Sequence, residues 1–490
     1  MLILYLIENK KVHFLEDVML FNSMAYAIFL PLVFILYWCI PSKYRWILLL
    51  GASYYFYMSW NPRYVVLIAF TTVVSYLCAV LLEKVSSQPL RRIIVFMALI
   101  LCLGVLFVFK YYNFTLNTIS HFISFEPKYL DFLLPVGISF YTFQTLSYVI
   151  DVYRKEVKAE KHFGIYATFV SFFPQLVAGP IERSGNLLPQ IKEKHVFDID
   201  KARYGIWLIV WGLFKKVIVA DNLAVFVDQV YGDVYSYSGF SLALATLFFT
   251  VQIYCDFSGY SDIARGSANL FGIELMENFK SPYFSESVKD FWSRWHISLS
   301  TWFRDYLYIP MGGNRVGTIR NCFNVLVTFL VSGLWHGASW NFVIWGGLHG
   351  VAQVYENAFG IKKKSENKVY AVLRKIVVFF FVAYAWVFFR ADNYRQGIYV
   401  TKALLSGITH PVEYLANGIN TLGISGNVAW KVALYLVPLF VFDYISLKTD
   451  LIEWIKTRKT VVRHLVLILM IVLLLLFGYA GKSTFVYFQF

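Results

Sequence analysis

Residues Ile93 to Phe109 read IIVFMALILCLGVLFVF, with Arg91 and Arg92 just before them and Lys110 just after. Nothing inside the run carries a charge. A helix that crosses a bilayer needs roughly 20 apolar residues, so this run predicts a helix set in lipid. The same pattern recurs from Phe21 to Ile40, Trp46 to Met58, Val65 to Leu82, Phe132 to Ile150, Tyr204 to Phe226 and Phe240 to Phe257. It returns from Cys322 to Val331 with a continuation to Val354, then from Val369 to Phe389, Ala429 to Tyr444 and Leu465 to Tyr479.

The whole chain agrees with that run. Its 490 residues are 58% hydrophobic and 15% charged, against about 45–50% and about 25% in soluble domains. No polar stretch is long enough for a separate soluble domain. The expected fold is therefore all-α: a polytopic helical membrane protein with about eleven transmembrane helices plus re-entrant and interfacial helices. Residues 19–490 are expected to form one membrane domain. Residues 1–18 read as an N-terminal extension, because Met19 opens a cleaner start than Met1 and no cleavable signal peptide is visible.

A net charge of +14 would fit nucleic acid, but the basic residues sit in short loops between apolar runs, where cytoplasmic loops collect them. They also suit anionic lipid headgroups. Lys43 and Arg45, then Lys84, Arg91 and Arg92, then Arg154, Lys155, Lys158 and Lys161 fall in loops of one parity. Lys362–Lys364 and Lys456–Arg463 agree with each other in the same way, so both termini are expected outside the cytoplasm. Phe163 to Ile181 is apolar but contains Pro174, Gly179 and Pro180 and is basic on both flanks. A segment that dips in and returns keeps both flanks inside, and broken backbone at that depth survives only against protein or a water-filled cavity.

Cys39, Cys78, Cys102, Cys255 and Cys322 form no Cys-x-x-Cys pair, which argues against a disulfide framework or thiolate metal site. The chain has no G-x-x-x-x-G-K-S/T phosphate loop and no G-x-S-x-G elbow. Internal repeats are not detectable, which counts against a secondary transporter.

Two stretches place polar groups among aromatic ones. In Lys289 to Tyr306, Trp292, Trp295, Leu299, Trp302 and Tyr306 recur at steps of three and four, the signature of one helix face. Lys289, Ser293, His296, Ser300 and Arg304 fall on a neighbouring face. That predicts an interfacial helix with its basic side toward headgroups, in which His296 reads more readily as structural than catalytic. In Gly333 to Gly350, GLWHGASWNFVIWGGLHG, an apolar run reaches His336 without another ionisable side chain. Such a group is costly in hydrocarbon and usually faces a cavity. His336 and His349 lie some 220° apart on a continuous helix, and no His-Glu-x-x-His pattern exists, so no metal site is expected. A neutral imidazole suits a general base that takes a proton from a hydroxyl attacking a thioester. A hydrogen-bonded core histidine is the competing reading. Asn341, Ser332 or Ser339 could orient the ring or stabilise an oxyanion, and Trp335 and Arg304 are further candidates for substrate contact.

At these residues the chain resembles the membrane-bound O-acyltransferase family, in its bacterial polysaccharide O-acetylation subgroup that includes the alginate O-acetylation membrane protein. The resemblance rests on Met19–Tyr37 (MLFNSMAYAIFLPLVFILY), Leu176–Arg183 (LVAGPIER) and Asp256–Gly266 (DFSGYSDIARG), together with Glu277–Gly313 and Gly333–Gly350. It implies His336 as the catalytic histidine and His296 as a second important one. It implies acetyl-CoA or a similar thioester as cytoplasmic donor substrate, with no tightly bound cofactor. It further implies an extracytoplasmic esterase-like partner, a polysaccharide acceptor and residence in the bacterial inner membrane. A transporter or channel for an acylated intermediate is the alternative, and an assembly scaffold a weaker one.

Overall fold

The structure, a computed structural model, describes residues 18–177, 179–481 and 485–486. Of the 1–18 extension, all but Val18 lies outside the described residues. Among those residues every regular element is helical. Among the described residues, seven helices are long and apolar enough to cross a membrane: Pro62–Lys84, Gln88–Ser120, Phe240–Leu270, Thr318–His336, Lys368–Arg390, Gly426–Ser446 and Thr460–Phe477. The chain is thus a multi-pass membrane protein. The larger count expected from sequence included shorter apolar pieces, such as Met24–Cys39, Arg45–Met58 and Ile138–Arg154, which form helices of 16, 14 and 17 residues.

The chain divides into two compact units. The first holds the described residues up to Ile209 together with Ile263–Met276. Its helices bury hydroxyls that bond back to their own carbonyls: Ser53 to Leu49, Thr72 to Ile68 and Ser75 to Thr71, each at 2.6 Å. A polar group in a dry interior is tolerated only when satisfied in this way. Ile138–Arg154 starts at Gly137 and ends at Lys155, both left-handed. The segment expected to dip and return forms two short helices, Phe163–Ser171 and Phe173–Leu176. Nine residues of helix rise only about 13 Å, too little to cross.

The second unit holds Val210–Asp262 and Glu277–Phe490. Its part of the Phe240–Leu270 helix, up to Asp262, is mostly buried, whereas Thr460–Phe477 has an apolar surface with no buried residue, as a lipid-facing helix requires. Two expectations are corrected here. The apolar stretch from Cys322 to Val354 is not one span: Thr318–His336 ends at His336, and Trp340–Ala358 runs back against it. Small residues make the turn and the close crossing. A Cβ on Gly333 would stand 2.2 Å from the Phe342 carbonyl oxygen, and one on Gly346 would stand 2.3 Å from that of Phe329. Likewise, the stretch around His296 is not one interfacial helix. It breaks into Val288–Trp292 and Ile297–Phe303, with His296 between them at φ 43°.

Candidate active site

His336 is the last residue of its helix, and the extended backbone of Gly337 lets the chain leave at once. The returning helix brings Trp345 onto the imidazole, ring centroids 5.0 Å apart. Trp335 at 5.0 Å and Phe389 at 5.4 Å add two more walls. Trp386 stacks on Trp345 at 5.5 Å and closes the box from behind. His336 is 4% exposed.

The break at His296 delivers a second imidazole to the same place. Its ring lies 6.3 Å from that of His336 and 6.1 Å from that of Trp335. Phe257 meets it edge-on at 4.6 Å. Asn278 Oδ1 lies 3.2 Å from its Nδ1. His296 sits between membrane-crossing helices, outside any of them. Complete burial pushes its pKa down to about 3, because removal from water disfavours the charged ring. Holding a non-glycine residue in the left-handed region costs about 1–2 kcal/mol, and the surrounding contacts must sustain that cost.

A cavity of about 590 Å³ is lined by Lys289, Trp292, Ile297, Arg304, Ser332 and Lys363 among others; neither histidine lines it, but Ile297 follows His296 directly. Its lining carries three cations and no carboxylate. Ser332 stands one helical turn before His336, so the cavity reaches to within a turn of the imidazole. Glu356 positions the inner wall: its carboxylate accepts the backbone N–H groups of Val288 and Lys289 at 2.6 and 2.9 Å, fixing the start of the helix that carries Trp292. Trp292 Nε1–H in turn donates to His349 Nδ1 at 3.2 Å. His349 is thereby tied to the wall, a role the sequence did not suggest.

Of the residues singled out from sequence, the fold brings His336, His296 and Trp335 together and sets Ser332 and Arg304 on the adjoining cavity. Asn341 faces elsewhere: its Nδ2 donates to the carbonyls of Phe388 and Ala391 at 3.2 and 2.6 Å, and its Oδ1 accepts from Ser339. It pins the hairpin to the end of Lys368–Arg390. The sequence reading also passed over Lys215 and Lys216, buried on a π-helical turn, Phe214–Ala220. Lys215 pairs with Asp262 at 2.6 Å, and Lys216 with both Asp221 and Asp256 at 2.7 Å. Two lysines inside the apolar run from Tyr204 to Phe226 were the available signal.

Comparison with known proteins bears on this geometry. The family model for MBOAT, the membrane-bound O-acyltransferase family, matches residues 161–401, a span that includes both histidines and the cavity. A protein named probable alginate O-acetylase AlgI from Pseudomonas aeruginosa is 38% identical, over 86% of this chain and 81% of its own length. A peptidoglycan O-acetyltransferase from Helicobacter pylori is 33% identical, over 96% of this chain and 98% of its own. A teichoic acid D-alanyltransferase from Bacillus subtilis is 28% identical, over 53% of this chain and 70% of its own.

Proposed function

This chain belongs to the membrane-bound O-acyltransferase family, and on that premise we propose that it takes acetyl from cytoplasmic acetyl-CoA and passes it across the membrane for O-acetylation of an extracellular or cell-wall polysaccharide. The observation that carries this reading is the buried His296–His336 pair beside a cation-lined cavity. A phosphate-bearing thioester suits a lining that holds Lys289, Arg304 and Lys363 and no carboxylate of its own, although Arg304 is shared with Asp305 at 2.7 Å. The acetyl end then lies toward Ser332 and His336.

His336 acts as the general base. It takes the proton of an acceptor hydroxyl as that oxygen bonds to the acetyl carbon and the carbon–sulfur bond breaks. The proton then passes to the departing thiolate, so the step is balanced without a cofactor. The tryptophan and phenylalanine walls exclude water, which would otherwise compete as nucleophile. The relatives named for alginate and peptidoglycan O-acetylation support a polymer acceptor. An extracytoplasmic esterase-like partner completes the transfer, with this chain in the inner membrane and both its termini outside the cytoplasm.

The test is turnover of radiolabelled acetyl-CoA by the purified protein in nanodiscs, wild type against His336→Ala, with the polymer and partner protein supplied. Loss in the variant, with the protein still inserted, supports the assignment. Equal turnover in both removes His336 as the base.

A further inference from the structure

We propose that Asn278 is a positioning residue of the acyl-transfer site: its side-chain oxygen holds His296 as the Nδ1–H tautomer, so that Nε2 offers a lone pair to the hydroxyl that reacts beside His336. The statement about the hydroxyl rests on the function proposed above. The tautomer stands on geometry alone.

The argument begins with the Asn278 amide. Its Oδ1 is 3.1 Å from the backbone nitrogen of Ser298 and 3.0 Å from Ser298 Oγ. A backbone N–H can only donate, so the amide atom facing it must be the oxygen. The other end agrees, since Nδ2 faces Ser261 Oγ at 3.4 Å. An amide oxygen cannot donate. Ser298 Oγ also lies 3.5 Å from His296 Nδ1, but its one hydrogen goes to Asn278 Oδ1 at 3.0 Å, so His296 Nδ1, 3.2 Å from that oxygen, bonds to it by carrying the hydrogen itself. In a neutral imidazole only one ring nitrogen is protonated, which leaves Nε2 as the acceptor.

The backbone reinforces the same contact: the Asn278 carbonyl accepts the Ile297 N–H at 3.0 Å. Asn278 thus grips the main chain on one side of His296 and the side chain of His296 itself. Asn278 is 1% exposed, His296 0% and Ser298 0%, so water does not compete for these bonds. The grip also sustains the left-handed backbone at His296, and it comes from a residue in the loop before Val288–Trp292. The hydroxyl has one hydrogen: as the acceptor binds, that hydrogen rests on His296 Nε2, which orients the oxygen, and as the oxygen attacks, the hydrogen turns to His336, which takes it as the base.

The experiment is solid-state NMR of ¹⁵N-histidine-labelled protein in bilayers, with His296→Gln identifying the His296 signals, alongside acetyl transfer from acetyl-CoA. The wild type is expected to show a protonated Nδ1 and an unprotonated Nε2. A wild-type ring protonated at Nε2 overturns the proposal whatever the activity. Asn278→Asp keeps an acceptor oxygen and is expected to keep both the tautomer and most of the transfer. Asn278→Leu removes the acceptor and is expected to lose the tautomer, with about tenfold or more of the rate. Full transfer by Asn278→Leu overturns the positioning role. Should that variant fail to insert, the wild-type spectrum and Asn278→Asp still decide. A wild type with the expected spectrum but no acetyl transfer upholds the tautomer and removes the function on which its use was argued.

Discussion

The rings of His296 and His336 meet at 62° with centroids 6.3 Å apart, one held at a helix break and the other at a helix end. Neither helix alone could bring two imidazoles to one place. Groups that serve a single step lose their effect together, so their removal is not additive. His296→Ala and His336→Ala are each expected to slow acetyl transfer by about 10²–10⁴-fold. The double variant is expected to be no slower than the worse single one. Rates measured with acetyl-CoA for all four proteins check this, and losses that multiply would assign the two histidines to separate steps.

The hairpin that carries His336 depends on two backbones meeting at glycine. Gly346→Ala sets a methyl 2.3 Å from the Phe329 carbonyl oxygen, a backbone atom of the facing helix Thr318–His336, so the two helices must shift apart. Overpacking of this kind costs about 1–3 kcal/mol. It also shifts Trp345, which walls His336. Thermal unfolding in detergent should fall, and acetyl transfer with it. Gly347→Ala is the internal control, because a Cβ there meets only Leu330 Cδ2 at an ordinary 3.7 Å. Its stability and activity should match the wild type.

The lipid-facing helices were legible because lipid asks little of a sequence beyond apolarity over sufficient length. Thr460–Phe477 is the plainest case. The hairpin was not, since the runs before His336 and after Asn341 are both largely apolar and composition does not register a reversal. The glycines that enforce it were visible, but their pairing was not. At His296 the tryptophan spacing predicted an unbroken helix, and local periodicity is blind to what breaks it. Asn278 and Phe257, both distant in sequence, hold the residue in a conformation no helix contains. His336 could be singled out from sequence because the apolar run that leads to it from Cys322 holds no other ionisable side chain. Lys215 and Lys216 escaped notice because their carboxylate partners lie on other turns and another helix.

Those lysines carry a stability prediction. Lys215 and Asp262 are 5% and 15% exposed at their side chains. Removing one partner of a buried pair leaves an uncompensated charge, at a cost of about 3–5 kcal/mol, whereas replacing both with apolar groups is often close to neutral. Lys215→Met should therefore lower the unfolding temperature in detergent sharply. Lys215→Met combined with Asp262→Leu should recover most of the loss. A double variant as unstable as the single would mean that Lys215 is held by something other than its ion pair.

The cavity makes a prediction about the donor. Arg304 is about half exposed at the rim and pairs with Asp305 at 2.7 Å, so its attraction for a phosphate is screened and modest. An exposed charge of this sort contributes up to about 1 kcal/mol. Arg304→Ala and Lys289→Ala should each raise KM for acetyl-CoA a few-fold, with kcat little changed. Because exposed charges are screened by salt, the difference from wild type should shrink as ionic strength rises. Acetyl-pantetheine has the same thioester but no nucleotide phosphates. Its KM should be insensitive to both substitutions. If the two donors respond alike, the cations do not read phosphate, and the donor must reach His336 by a route other than this cavity.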